Sequence, residues 1–115
     1  MPETTLTIET MDDAAAGLRV LRLTGSLTLQ SVFPFQAAIR EGQFNALVLD
    51  FTDVPYMDSA GLGALVGALV AAQRAQRRLA LVGANQRIKA LMDMAHVSAF
   101  FPTFPNLKEA VESLR

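Results

Sequence analysis

Two short apolar runs, residues 46–51 (ALVLDF) and 79–82 (LALV), constrain the fold more than any other feature of this chain. Each is nearly continuous in apolar character, as a strand is when both of its faces are covered. Residues 59–76 lie between them and are long enough for a crossover helix. Strand, helix and strand in that order imply a parallel pair with a right-handed connection.

The remaining elements fit around this unit. Thr5, Thr7 and Glu9 roughly alternate with Leu6, Ile8 and Met11, which predicts a half-buried N-terminal strand. A turn is expected over residues 12–17 (DDAAAG). A second strand, residues 18–24, sets Leu18, Val20, Leu21 and Leu23 against Arg19, Arg22 and Thr24, and Gly25 ends it. So short a connection makes these two strands an antiparallel pair. Pro34 is tolerated only in a first helical turn, which predicts a helix over 34–41 with Phe35 and Ile39 inward. Asn85 precedes Ile88, Leu91, Met92 and Ala95 at helical spacing. Asn106 with Glu109 reads as a capping box ahead of Leu107, Ala110, Val111 and Leu114. Residues 100–104 suit a short strand that Pro102 confines to an edge. Phe33, Phe35, Phe100, Phe101 and Phe104 are expected in the core, an exposed Phe33 or Phe35 marking a partner contact. The expectation is one α/β domain over residues 1–115: a small sandwich with a mixed sheet of four or five strands, an antiparallel N-terminal strand and about four helices.

Composition excludes several kinds of function. With 51% hydrophobic and 18% charged residues, the chain can bury enough apolar surface to fold. A net charge of −1 speaks against direct nucleic-acid binding. There is no cysteine for a disulfide, thiolate nucleophile or zinc site, and one histidine cannot make a histidine-rich metal site. Residues 1–10 lack the pattern of a secretory signal, so a cytoplasmic location is expected.

The segment richest in candidate chemistry is 50–72, DFTDVPYMDSAGLGALVGALVAA. Asp58 and Ser59 stand just ahead of the helical run, where either side chain could cap free N–H groups. The loop holding Pro55 and Tyr56 leaves the carboxyl edge of the parallel strands, where open α/β sheets carry their sites. On the helix, Leu62, Leu65, Val66, Leu69 and Val70 span roughly 140° and are expected to face the core. Ala60, Gly63, Ala64, Gly67 and Ala71 fill the other side. A helical glycine costs up to about 1 kcal/mol relative to alanine. So smooth a face suits docking, the alternative being close packing, above all at Gly61.

Other readings of the segment are weaker. The uncharged run from 59 to 73 is too short to span a membrane. Gly61, Gly63 and Gly67 match a dinucleotide fingerprint poorly, because a long loop precedes them and no acidic residue follows the next strand. Asp50, Asp53 and Asp58 could surround Mg²⁺, although loop aspartates usually serve as caps and turns. His96 has no recognisable serine or threonine partner, and it reads as a helix-terminal or partly buried residue. Arg74, Arg77 and Arg78 suit a solvated helix C-terminus. With no acid–base pair or cofactor motif, neither catalytic residues nor cofactors are expected.

The stretch LVLDFTDVPYMDSAGLGALVGAL resembles the central motif of STAS domains, above all bacterial anti-sigma-factor antagonists. The resemblance extends from about Leu18 to Leu114 and includes LRLTGSL at 21–27 and LMDMAHV at 91–97. It implies that Ser59 is the residue phosphorylated by an anti-sigma factor that is itself a serine kinase. The unmodified antagonist would bind that kinase and free the sigma factor, and the phosphorylated form would let go. A PP2C-type phosphatase would reverse the modification. Asp58 resembles the acidic neighbour of the family's phosphosite. Gly25, Ser26, Leu27 and Thr28, with Asp58, Ala60, Gly63 and Gly67, would line the partner interface. Two departures stand out: Ala60 where many antagonists have a second serine, and Thr28 where many have an acidic residue. The resemblance also admits an alternative, a STAS subunit of an ABC-type lipid transport complex that uses the same helix face for an unswitched contact.

Overall fold

The computed structural model describes residues 5–13 and 16–114. Their elements are β1 (Thr7–Asp13), β2 (Leu18–Thr24), α1 (Val32–Arg40), β3 (Ala46–Asp53), α2 (Ser59–Arg74), β4 (Arg78–Val82), α3 (Gln86–Met94), β5 (Thr103–Phe104) and α4 (Leu107–Ser113). The five strands form one sheet in the order β1-β2-β3-β4-β5. β1 pairs antiparallel with β2, Thr7 opposite Thr24, and every other pair is parallel. The β3–α2–β4 unit is the one that the apolar runs predict, with Leu47 opposite Leu79 and Leu49 opposite Leu81.

Each face of the sheet carries its own core. Leu21, Leu23, Leu47, Leu49, Phe51 and Leu81 point to the larger one, closed by Phe35 of α1, Leu65 of α2 and Ile88 and Met92 of α3. Leu18, Val20, Val48, Ala80 and Val82 point the other way, against Ala110 and the flanking apolar residues of α4. β2 is therefore covered on both sides, and the expected division of apolar from polar positions fails at Arg19. This arginine is buried, and its guanidinium donates to both Asp12 carboxylate oxygens at 2.9 Å. It also donates to the Ala38 and Glu41 carbonyls at the end of α1. The Phe44 ring lies 4.8 Å away, with Arg77 at 4.1 Å from the same ring. Arg19 thus enters the edge of the core with its donors partnered, which offsets the cost of burying a charge.

Several local expectations shift. α1 starts at Val32, two residues before the expected Pro34, so the proline falls within the first turn, where its missing N–H breaks no helical bond. β1 runs on through Asp12 and Asp13, and residues 14–15 of the expected turn lie outside the described residues. β5 is only two residues long, an edge strand directly after Pro102. Phe35 and Phe101 are buried and Phe104 is half-buried, whereas Phe33 is 74% exposed and Phe100 is 60% exposed.

The buried face of α2 is also rotated from the expected one. Gly61, Ala64, Leu65, Ala68, Leu69 and Ala72 are buried, while Leu62 and Val66 are half-buried and Val70 is exposed. Small residues let α2 lie close to the sheet and to α1, so the alanines, Ala64 among them, point inward.

Candidate functional site

The chain leaves β2 and β3 at the same end of the sheet, and backbone bonds stitch the two departing loops together. Gly25 N donates to the Asp53 carbonyl at 3.2 Å, and Leu27 N donates to the Tyr56 carbonyl at 3.1 Å. Asp58 N donates to the Leu27 carbonyl at 3.3 Å, and Leu27 forms an isolated parallel bridge with Met57. Gly25 takes φ 107°, a backbone region open mainly to glycine, and this turns the chain out of β2 into the seam.

Asp58 fastens the start of α2 to this seam. One carboxylate oxygen accepts from Gly61 N at 2.8 Å as the helix N-cap, and the other accepts from Leu29 N at 3.2 Å. The cap is therefore Asp58, which leaves Ser59 as the first helical residue, exposed on the rim. Asn85 caps α3 through Ile88 N at 2.9 Å and also donates to the Val54 and Pro55 carbonyls at 3.3 and 3.1 Å. That second duty is absent from the sequence reading, because a side chain's reach to a loop thirty residues earlier leaves no local pattern.

The candidate interface residues fall into two groups. Gly25 and Leu27 are buried, so they hold the seam while Ser26 and Thr28, half-buried, border the surface. Ala60 is half-buried beside Ser59. Gly63 and Gly67 are exposed, and a Cβ at either would meet nothing within 4 Å. Gly61 is the opposite case, since a Cβ there would lie 2.8 Å from Met57 Cγ and 2.9 Å from the Leu27 carbonyl carbon. Two further exposed apolar side chains stand on or just beyond this seam: Leu29 at 65% exposure, and Phe33 in the first turn of α1.

Asp50 and Asp58 are committed to protein partners. Asp50 is buried, accepts from Thr52 N at 3.0 Å and Thr52 Oγ1 at 2.6 Å, and pairs with Arg22 at 3.5 Å. Among the described residues no group of three or more His, Cys, Asp or Glu is placed to hold a metal ion. His96 is exposed with φ 60°, just beyond the end of α3. The three arginines separate: Arg74 closes α2, Arg77 stacks on Phe44, and Arg78 opens β4 and donates to the Ser113 carbonyl at 3.4 Å. Among the described residues no helix is long and apolar enough to cross a membrane.

A mixed sheet with its helices split between two faces, and a loop seam capped into a helix at one end, define a small α/β module. More particularly, the chain belongs to the STAS domain family, whose profile matches residues 7–110. It is 28% identical over 102 residues to the anti-sigma F factor antagonist of Paenibacillus polymyxa, covering 85% of this chain and 87% of that protein. It is 40% identical over 52 residues to the anti-sigma-B factor antagonist of Listeria monocytogenes, a match covering 45% of this chain and under half, 46%, of that relative. Among solved structures, unphosphorylated SpoIIAA, an anti-sigma factor antagonist, superposes with a TM-score of 0.78 at 19% identity, covering 95% of this chain and 96% of that one. A sulfate transporter family protein from Wolinella succinogenes shares the fold with a TM-score of 0.71 at 17% identity, covering 85% of this chain and 84% of that one.

Proposed function

We propose that this protein is an anti-sigma-factor antagonist that acts by partner switching in the cytoplasm, through binding rather than catalysis. Unmodified, it docks an anti-sigma-factor serine kinase on the surface formed by Ser26, Thr28, Ser59, Ala60, Gly63 and Gly67. Phosphorylation of Ser59 by that kinase releases it, and a PP2C-type phosphatase restores the binding form. The observation that carries this reading is the position of Ser59, exposed at the first residue of α2, next to an aspartate already engaged as the cap. A helix N-terminus accommodates a phosphate, because its free N–H groups and dipole favour anions. The domain therefore stays folded when modified. The added charge of about −1.5 to −2 falls beside Asp58, next to a surface of small neutral residues. A penalty of about 3 kcal/mol for covering that charge weakens binding roughly a hundredfold.

The test is a titration of wild type, Ser59→Ala and Ser59→Asp against the purified kinase, with phosphopeptide mapping after incubation with ATP. Ser59→Ala is expected to bind like wild type and Ser59→Asp about tenfold more weakly. Label on Ser26, Ser31 or Ser98 would overturn the site. Equal affinities for all three proteins would reject the switch in favour of an unswitched contact, as in a transporter subunit.

A further inference from the structure

Farther along α2 from Ser59, an open groove runs between α1 and α2. Gln36 and Ile39 of α1 and Ala64, Ala68 and Ala71 of α2 line it, and Gly67 opens its wall. Two adjoining cavities along it measure about 160 and 230 Å³. It continues over Val70 and Ala75, so its lining stays largely apolar as it reaches the surface.

α1 and α2 each follow a strand of the same parallel set and lie on the same face, so their C-termini arrive at one end of the groove. Arg40 stands in the last turn of α1 and Arg74 in the last turn of α2, both exposed and both lining the groove. Among the described residues neither has an ion-pair partner. Arg77 adds a third positive charge above Phe44. None of the described lining residues is acidic; Glu41, next to Arg40, is not among them.

Helix dipoles account for a cation at each C-terminus. They do not account for the exposed run of Gly67, Val70, Ala71 and Ala75 beside those cations, where Gln36 is the one uncharged polar side chain among the described lining residues. We propose that the groove receives an acidic amphipathic helix of the protein that docks beside Ser59. Its apolar ridge would pack over Gly67 and Ala71, where small residues allow an interaxial approach near the short end of the usual range, about 8 Å. Its carboxylates would meet Arg40 and Arg74. This inference rests on the docking face proposed above and names the chemistry of its partner. At 1.5 Å per residue, Gly67 lies about 12 Å and Arg74 about 22 Å along the axis from Ser59, so one partner helix of ordinary length spans the distance.

The experiment measures affinity and association rate of the purified anti-sigma-factor kinase at low and moderate salt. It compares wild type, Arg40→Gln/Arg74→Gln, Arg40→Glu/Arg74→Glu and Ser59→Asp, each with its melting curve. The glutamate pair is expected to bind about tenfold or more weakly, chiefly through slower association, and to lose most of its salt dependence. The glutamine pair, which keeps both side chains' bulk, is expected to fall between and serves alone if the glutamate pair melts early. Wild-type affinity in both pairs, with Ser59→Asp still weakened, overturns the groove and leaves the docking face standing. A loss in the pairs with none in Ser59→Asp keeps the groove and discards the switch. If wild type binds no kinase, both fall together.

Discussion

Gly61 is packed so closely against Leu27 that the carbonyl of Leu27 occupies the space a Cβ would need. The seam between the two loops closes through this pair, and a side chain at position 61 must either push Leu27 out or move the start of α2. Gly61→Ala is expected to destabilise the fold by about 2–3 kcal/mol despite alanine's better helix propensity. Gly63→Ala, which meets open space, is expected to stabilise by up to about 1 kcal/mol. Urea unfolding of the two variants beside wild type reads the difference in sign.

Gly67→Glu is expected to unfold cooperatively at or above the wild-type temperature, because its side chain enters open space and glutamate favours helix. On the proposed function, binding to an anti-sigma-factor kinase is expected to fall about tenfold or more, through bulk and charge placed on the proposed docking face. Loss of cooperative melting would show a packing role for Gly67 instead.

Asp58 holds two amides from separate stretches of chain, Gly61 N and Leu29 N. Asp58→Ala is expected to cost about 1–3 kcal/mol, with the cap the larger share. Asp58→Asn retains an oxygen for the cap but presents an amide N–H₂ to Leu29, so it is expected to lie between. Amide exchange at Leu29, measured by NMR, should quicken in both variants.

Asn85→Ala removes the α3 cap and the bonds to the Val54 and Pro55 carbonyls. The expected loss is about 1–2 kcal/mol by thermal unfolding. Faster proteolytic cleavage within residues 54–57 would separate the loop contribution from that of the cap.

The Arg19 guanidinium, hydrogen-bonded to Asp12, holds the Asp12 carboxyl below its ordinary value of 3.8, with desolvation acting in the other direction. A carboxyl lowered in the folded state contributes stability that is complete above the unfolded value. That contribution is lost as pH falls through the lowered one. The stability gap between wild type and Asp12→Asn is therefore expected to be constant from about pH 5 to 7 and to narrow below about pH 4. Urea titrations across that range measure it.

The residues most legible in sequence were those acting on near neighbours. Asn85 and Asn106 cap the helices that follow them, and the apolar runs of β3 and β4 are the parallel pair they imply. The inward face of α2 does not follow apolar size, since Val70 is exposed and Leu62 and Val66 are half-buried. Ala64, Ala68 and Ala72 are inside for being small enough to bring two backbones together, a property of the neighbour as much as of the residue. Arg19 escaped for the same reason, since its partners Asp12, Ala38 and Phe44 meet only in the folded chain. At the candidate site, the DSAG sequence marks the helix start that Asp58 caps, but the seam that holds Leu29 against Asp58 is a tertiary relation with no spacing of its own.

Every neighbouring pair of strands in the sheet is also consecutive in the chain. No pairing has to close a loop longer than one crossover, and closure entropy grows only with the logarithm of loop length. Assembly can therefore advance along the chain in the order of its synthesis, each strand docking on one already in place. By this order the surface around Ser59 is complete once β4 has docked, before β5 and α4 arrive. β5 also sits at the sheet's far edge on a two-residue ladder, whereas α4 lies across the second face over β2, β3 and β4, so fraying is expected to start at β5. The proposed docking surface and the strand expected to open most readily are thus kept at a distance from each other.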